Sequence, residues 1–352
     1  MKAAWIFTIV GIVSMLIGIY ILSFLLKKSK KYTLKKANTN GIRWGSQKKP
    51  VSGGFVFVIL LLISGLVYFM IFKNQNTIDI QFLGIYIACV LAFMMGLADD
   101  ILNTSPYFKF GAQLFCGIVL VYFDVYINIS EILMVNYIFT ILWTVLLMNS
   151  FNMLDNMDAI SGVTSLAILS GLFVNTLFCN GSFSYSFISM AVVGALISFL
   201  FYNWSPSKLY MGDNGSQLLG AVIAALSIKF LWNTQWNTEI QHSYFRYIPV
   251  ILAFVVPLSD TVTVTINRIL KGKSPFVGGK DHTTHFLFFR GFSERQIALI
   301  FFFTTLFSVT LSVYIINFAN SFQWWHFAFT LIYALLIFLL LFINTKITKS
   351  DS

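Results

Sequence analysis

The feature that most constrains this chain is a recurrence of long apolar runs, each bounded by a short polar interval. A hydrocarbon layer about 30 Å thick is crossed by roughly 20 apolar residues in a helix, and lipid tolerates no unpaired backbone. Eleven candidate spans can be read: about 4–26, 54–72, 82–98, 110–124, 134–149, 160–179, 184–203, 215–231, 244–266, 296–317 and 323–344. Strand-like alternation is absent, which argues against an outer-membrane barrel. Only 10% of the residues are charged, against roughly a quarter in soluble domains. The expected fold is therefore an all-α, polytopic membrane helix bundle of about eleven transmembrane helices, a single domain over 1–352.

The first run is preceded by one lysine, exceeds a signal-peptide core and lacks a small-x-small cleavage site, so it is expected to remain as a helix. Cys89, Cys116 and Cys179 stand singly in apolar segments and read as small core residues, with neither disulfide nor zinc spacing. The interval 27–53 holds Lys27, Lys28, Lys30, Lys31, Lys35, Lys36, Arg43, Lys48 and Lys49, an excess that marks the cytoplasmic side. Alternation from there puts the amino terminus outside. The intervals 99–109, 150–159, 204–214 and 267–295 and the tail then face the cytoplasm. All of the 23 Lys and Arg except Lys2, Lys73, Lys229 and Arg246 fall on that side.

Five loops on this face carry more polar residues than a turn needs. "KKPVSGG" brings Gly53 and Gly54 to the mouth of the second span, where glycine permits close approach to a phosphate but serves a simple hinge equally well. "DDILNTSPYFK" sets Asp99 and Asp100 side by side; near lipid, adjacent carboxylates stay ionised only with a cation, a lysine or water nearby, and Lys109 follows. "MNSFNMLDNMDAISG" repeats Asn149, Asn152, Asp155 and Asp158 at a spacing of three, a polar stripe suited to a hard cation or to a base and ribose. "SPSKLYMGDNGSQLLG" sets Asp213 between Gly212 and Gly215, so free N–H groups and a carboxylate share one turn, an arrangement suited to a magnesium diphosphate. "SPFVGGKDHTTHFLFFRGFSERQ" carries Lys280, Asp281, His282, His285 and Arg290; without a third ligand, zinc is a poor match, and basic groups facing phosphate fit better. Asp260, about two turns inside the ninth span, either pairs with Arg268 or lines a cytoplasm-facing wall. Together these loops describe a polar pocket equipped for phosphoryl transfer. A secondary transporter would instead place its acids near the bilayer midplane in repeated halves, and a scaffold gives no reason for the Asn/Asp stripe.

In order and spacing, "GLADD…K", "NSFNMLDNMDAISG", "MGDNGSQLLG" and "SPF…DHTTHFLFFRGFSERQ" resemble the polyprenyl-phosphate N-acetylhexosamine-1-phosphate transferases, over roughly residues 50–296. The resemblance implies ten or eleven spans, an active site on the cytoplasmic face of a bacterial inner membrane, and Mg²⁺ or Mn²⁺. It also implies a UDP-N-acetylhexosamine donor, most of all UDP-N-acetylglucosamine, and an undecaprenyl-phosphate acceptor, in the initiating step of envelope polysaccharides such as O-antigen. The muramoyl-pentapeptide branch ranks second. By this resemblance, Asp99 is the base or orienter for the lipid phosphate beside Asp100, and Lys109 holds a phosphate. Asn152 and Asp213 bind the metal, while Asp155 and Asp158 line the nucleotide pocket and Tyr210 stacks on uracil; the stripe itself adds Asn149 as a substrate-binding candidate. His282, His285 and Arg290 sit near the donor phosphates and sugar, His282 among the catalytic candidates, and the basic character of the loop adds Lys280 as a substrate-binding candidate. No nucleic acid partner is expected; a homodimer is left open. Three positions depart from the family pattern: Asn156 and Ala159 replace glycines of its third motif, and Thr284 stands where a histidine is usual.

Overall fold

The computed structural model describes residues 2–31, 49–71, 79–179, 183–234, 246–274, 279–318 and 323–348. Residues 32–48 of the basic interval 27–53, Lys73 and the "PFVG" of the fifth loop lie outside them, as do the side chains of residues 2–4, 30 and 31. The helices are α1 (Lys2–Lys31), α2 (Gly54–Ile71), α3 (Ile80–Leu102), α4 (Pro106–Tyr122), α5 (Leu133–Leu154), α6 (Ile160–Phe178) and α7 (Phe183–Asn203). They continue with α8 (Asp213–Ser227), α9 (Ile248–Ala253), α10 (Val255–Leu270), α11 (Thr283–Phe289), α12 (Glu294–Phe318) and α13 (Trp324–Ile347). Among the described residues, nine helices are long and apolar enough to cross a bilayer, counting α8 with its π-helical extension Ile228–Trp232. The chain is thus a polytopic helical membrane bundle.

Each of the eleven expected spans coincides with helix, with two refinements. The fourth, α4, is 17 residues long, shorter than a full crossing. The ninth is broken at Phe254 into α9 and α10. Pro257 is the cause: lacking an N–H, it leaves the carbonyl of Ala253 without its helical donor, and its ring crowds that turn. The long interval 267–295 also contains a helix, α11, which sequence polarity alone did not suggest.

The core is α8. Every residue from Asn214 to Ser227 is buried, whereas α1 and α13 leave most of their length to the surroundings. Small residues make this packing close, as expected where lipid removes the hydrophobic contrast between helices. A Cβ on Gly220 would lie 2.6 Å from Met148 Cα on α5, and one on Gly194 of α7 would lie 2.4 Å from the Gly11 carbonyl of α1. Polar bonds supplement it: Trp143 Nε1 donates to Ser227 Oγ at 2.9 Å, an interhelical bond worth roughly 0.6–2 kcal/mol in such bundles.

Candidate active site

The turn between α3 and α4 answers why two aspartates stand together. Asn103 closes α3 in the left-handed conformation (φ 51°), its N–H bonding the Asp99 carbonyl at 2.8 Å. Ser105 then caps α4 and Pro106 occupies its first turn. This sharp reversal folds Lys109 back onto Asp99. Asp99 Oδ1 accepts from Thr104 N (2.9 Å) and Oγ1 (2.6 Å), and its Oδ2 lies 2.5 Å from Lys109 Nζ. The same ammonium reaches Asp213 Oδ2 at 2.9 Å, so one lysine bridges carboxylates more than a hundred residues apart. Asp99 is 9% exposed, but the Lys109 and Asp213 side chains each keep 28% exposure, so the triad is reachable from outside the bundle.

Asp100 has a different task from its neighbour. Its carboxylate accepts from the backbone N–H groups of Asp213 and Asn214, both at 3.1 Å, and from Asn214 Nδ2 at 2.5 Å. It therefore caps α8 from another helix, in the place where Gly212 (φ 80°) offers no side chain. The turn it holds is clamped on both sides. A Cβ on Gly96 would sit 2.3 Å from the Asp213 carbonyl oxygen, and one on Gly54 would sit 2.4 Å from Gly215 N. Gly53 and Gly54 donate to the carbonyls of Tyr210 and Met211 at 3.0 Å each. These two glycines accommodate this turn's backbone.

The Asn/Asp stripe divides where α5 ends at Leu154. Asn149 joins a buried amide cluster: its Nδ2 donates to Gln113 Oε1 (2.9 Å), and Gln113 Nε2 reaches Asn149 Oδ1 (3.2 Å) and Gln217 Oε1 (3.1 Å). Asn152 Nδ2 donates to Ser216 Oγ at 3.0 Å, placing it against the Asp213 turn. Asp155 is half-buried in the turn that follows. Asp158 has turned away from the line. It accepts from Ser207 N (2.8 Å) and Oγ (2.7 Å), with Lys49 Nζ at 3.5 Å. Lys49 also lies 5.1 Å over the Tyr210 ring, so Asp158, Tyr210 and Lys49 form a second cluster beside the first.

The fifth loop is anchored by Asp260. Its Oδ1 accepts from Thr283 N (2.9 Å) and Oγ1 (2.6 Å), and its Oδ2 lies 3.0 Å from His282 Nδ1. Arg268 pairs instead with Asp281, at 2.8 and 2.7 Å, so of the two readings of Asp260 the Arg268 pairing is not the one adopted. Burial opposes ionisation of Asp281, but the hydrogen bonds and charge of Arg268 outweigh it and hold the carboxyl below its usual range. His285 is buried and its Nδ1 accepts from His282 N at 3.2 Å; burial, with His282 beside it, pushes its pKa down to about 3. Thr284 Oγ1 donates to Asn156 Oδ1 at 2.7 Å, so two of the departures from the family pattern meet each other. That bond ties α11 to the end of α5, and hence to the Asp213 turn through Asn152. Lys280 is exposed beside this loop. Arg290 is exposed and donates to Thr348 Oγ1 (3.0 Å) at the end of α13, away from these bonds.

Sequence reasoning overlooked Thr104, Gln113, Ser216 and Gln217 as site residues. A signal existed for two of them: Gln113 and Gln217 follow Lys109 and Asp213 by one helical turn and share their faces. Among the described residues, no three His, Cys, Asp or Glu side chains form a metal-holding cluster.

Residues 82–231, which contain the α3–α4 turn, the α5 terminus and the α7–α8 turn, match the family described as glycosyl transferase family 4. The chain is 30% identical over 225 residues to a probable undecaprenyl-phosphate N-acetylglucosaminyl 1-phosphate transferase of Bacillus subtilis, covering 61% of each protein. It is 27% identical over 239 residues to a decaprenyl-phosphate N-acetylglucosaminephosphotransferase of Mycobacterium tuberculosis, covering 61% of this chain and 59% of that one. A phospho-N-acetylmuramoyl-pentapeptide-transferase of Streptococcus agalactiae is 28% identical over 232 residues, 56% of this chain and 68% of that one. The match thus spans about three fifths of the Bacillus relative. With the four motifs assembled around one end of the bundle, the chain is similar to glycosyl transferase family 4 across residues 82–231.

Proposed function

We propose that this protein transfers N-acetylhexosamine-1-phosphate, most of all N-acetylglucosamine-1-phosphate, from a UDP-sugar to undecaprenyl phosphate, releasing UMP. The reaction would initiate an envelope polysaccharide at the cytoplasmic face of a bacterial inner membrane. The observation that carries this reading is the Lys109 bridge between Asp99 and Asp213, an anion–cation–anion set at the mouth of the bundle.

The lipid phosphate oxygen attacks the sugar-bearing phosphorus and the bond to the UMP oxygen breaks, so no redox partner is needed. Asp99, fixed by Thr104, keeps the acceptor deprotonated and aligned. Lys109 offsets charge on the transferring phosphoryl, and holding both reactants in line can supply up to about 7–11 kcal/mol of the barrier reduction. Asp158, Tyr210 and Lys49 suit a nucleoside, with an aromatic face, a carboxylate for ribose or base donors, and a cation. His282 and Lys280 lie on the loop suited to the donor phosphates.

The donor set fits a hard divalent ion. Asp99, Asp100 and Asp213 carry three negative charges against the single charge of Lys109, and all their ligand atoms are oxygens. Mg²⁺ is typically held by one or two carboxylates, with phosphate and water completing its shell. Asp213 and Asn152 would hold it, and it would supply charge neutralisation of the diphosphate.

The test is incubation of the purified protein in nanodiscs with undecaprenyl phosphate and a panel of UDP-sugars. UDP-N-acetylglucosamine should give lipid product and UMP in equal amounts. The likeness to the Streptococcus relative makes UDP-N-acetylmuramoyl-pentapeptide the informative competitor. Product from that donor alone would reassign the branch, and product from none would overturn the reaction.

A further inference from the structure

Asp260 is a carboxylate inside an apolar helix with none of its surface exposed. Such a group is expensive within a bilayer and calls for a task. Its bonds define one. Oδ1 takes both donors of Thr283, which fixes the start of α11, and Oδ2 faces His282 Nδ1. Arg268 does not neutralise it, being committed to Asp281. An ionised carboxylate only accepts, so the proton must reside on Nδ1. Nε2 is then the remaining polar atom of the ring. A neutral acceptor at 260 could cap Thr283 equally well, but only the carboxylate also dictates the tautomer and stabilises charge on the ring. His285, Asp281 and Lys280 of the same loop stand near this pair, and Arg268 of α10 reaches it through Asp281.

We infer that Asp260 is a positioning residue, fixing His282 in its Nδ1-protonated tautomer so that Nε2 is the atom offered to the substrate phosphates; this rests on the transfer reaction proposed above. Two measurements test it. In ¹⁵N-histidine NMR of the wild-type protein in nanodiscs at neutral pH, the His282 ring, identified by its loss in His282→Gln, should show a protonated Nδ1. In a cycle of UMP-release assays, Asp260→Asn should lower kcat about 10- to 100-fold. The same change in the His282→Gln background should cost less than about twofold, because its partner is already gone. Losses that multiply in full, or a ring protonated on Nε2, would overturn the assignment while leaving the reaction intact. A wild-type protein that releases no UMP with any donor overturns the reaction and this assignment together. The NMR arm needs no variant at position 260 to fold.

Discussion

At the residue scale, the site is a matter of which neighbour each charge meets. Asp99 and Asp100 are adjacent in sequence but face different partners, one the ammonium of Lys109 and the other the amides that open α8. Their substitutions should therefore differ in kind. Asp99→Asn should lose activity with the melting temperature nearly unchanged, whereas Asp100→Ala should remove a helix cap worth about 0.5–2 kcal/mol and lower the melting temperature as well. Differential scanning fluorimetry beside the UMP assay separates them. Ala159 is a second residue-scale case. It enters α6 at φ 68°, held there by its N–H to Asn203 Oδ1 at 2.9 Å, where a side chain costs about 1–2 kcal/mol. Ala159→Gly should raise the melting midpoint; an unchanged or lower midpoint would show that the strain is offset elsewhere. His285 gives a pH dependence. Its folded pKa of about 3 lies below the ordinary 6.5, so between those values the unfolded chain binds more protons and stability rises with pH. The melting temperature should fall as pH drops below about 6.5, and His285→Gln should flatten that slope.

At the element scale, the turn before α8 is the hub. α2 meets it through Gly53 and Gly54, α3 through Gly96 and Asp100, α4 through Lys109 and α5 through Asn152. Gly96→Ala would drive a methyl into the Asp213 carbonyl, and backbone cannot yield as a flexible side chain can. A cost of about 1–3 kcal/mol is expected, with loss of activity. Wild-type melting and turnover would contradict this packing. Most of these elements were legible in the sequence because lipid makes span length and polarity nearly sufficient. What was not legible depended on partners. A spacing of three suggested that Asn149, Asn152, Asp155 and Asp158 share a face, but α5 ends at Leu154 and Asp158 turns to Ser207. Arg290, a phosphate candidate by resemblance, has its Nε on Thr348, a partner the motif does not contain. Gly53 and Gly54 signalled close approach without saying to what.

At the scale of the whole molecule, intervals assigned from charge bias to one membrane face meet one another: Lys49 bonds Ser207, Lys109 bonds Asp213, Thr284 bonds Asn156 and Arg290 bonds Thr348. Lys229, assigned to the other face, is bonded to Tyr185 (2.9 Å) and Gln81, beside Asp79. If that first face is cytoplasmic, Asn103→Cys and Lys208→Cys should react with an impermeant maleimide only in inside-out vesicles, and Asn128→Cys only in right-side-out ones. The native Cys89 and Cys116 are buried, and Cys179 would be replaced beforehand. Reaction of Asn103→Cys and Lys208→Cys from opposite sides would separate loops that here touch. The central claim is that Asp99, Lys109 and Asp213 form one phosphoryl-transfer centre. It is tested most directly by UMP release from Asp99→Asn, Lys109→Ala and Asp213→Ala in nanodiscs containing undecaprenyl phosphate. Each should fall by about 10²–10³-fold, and near wild-type turnover in all three would contradict the account.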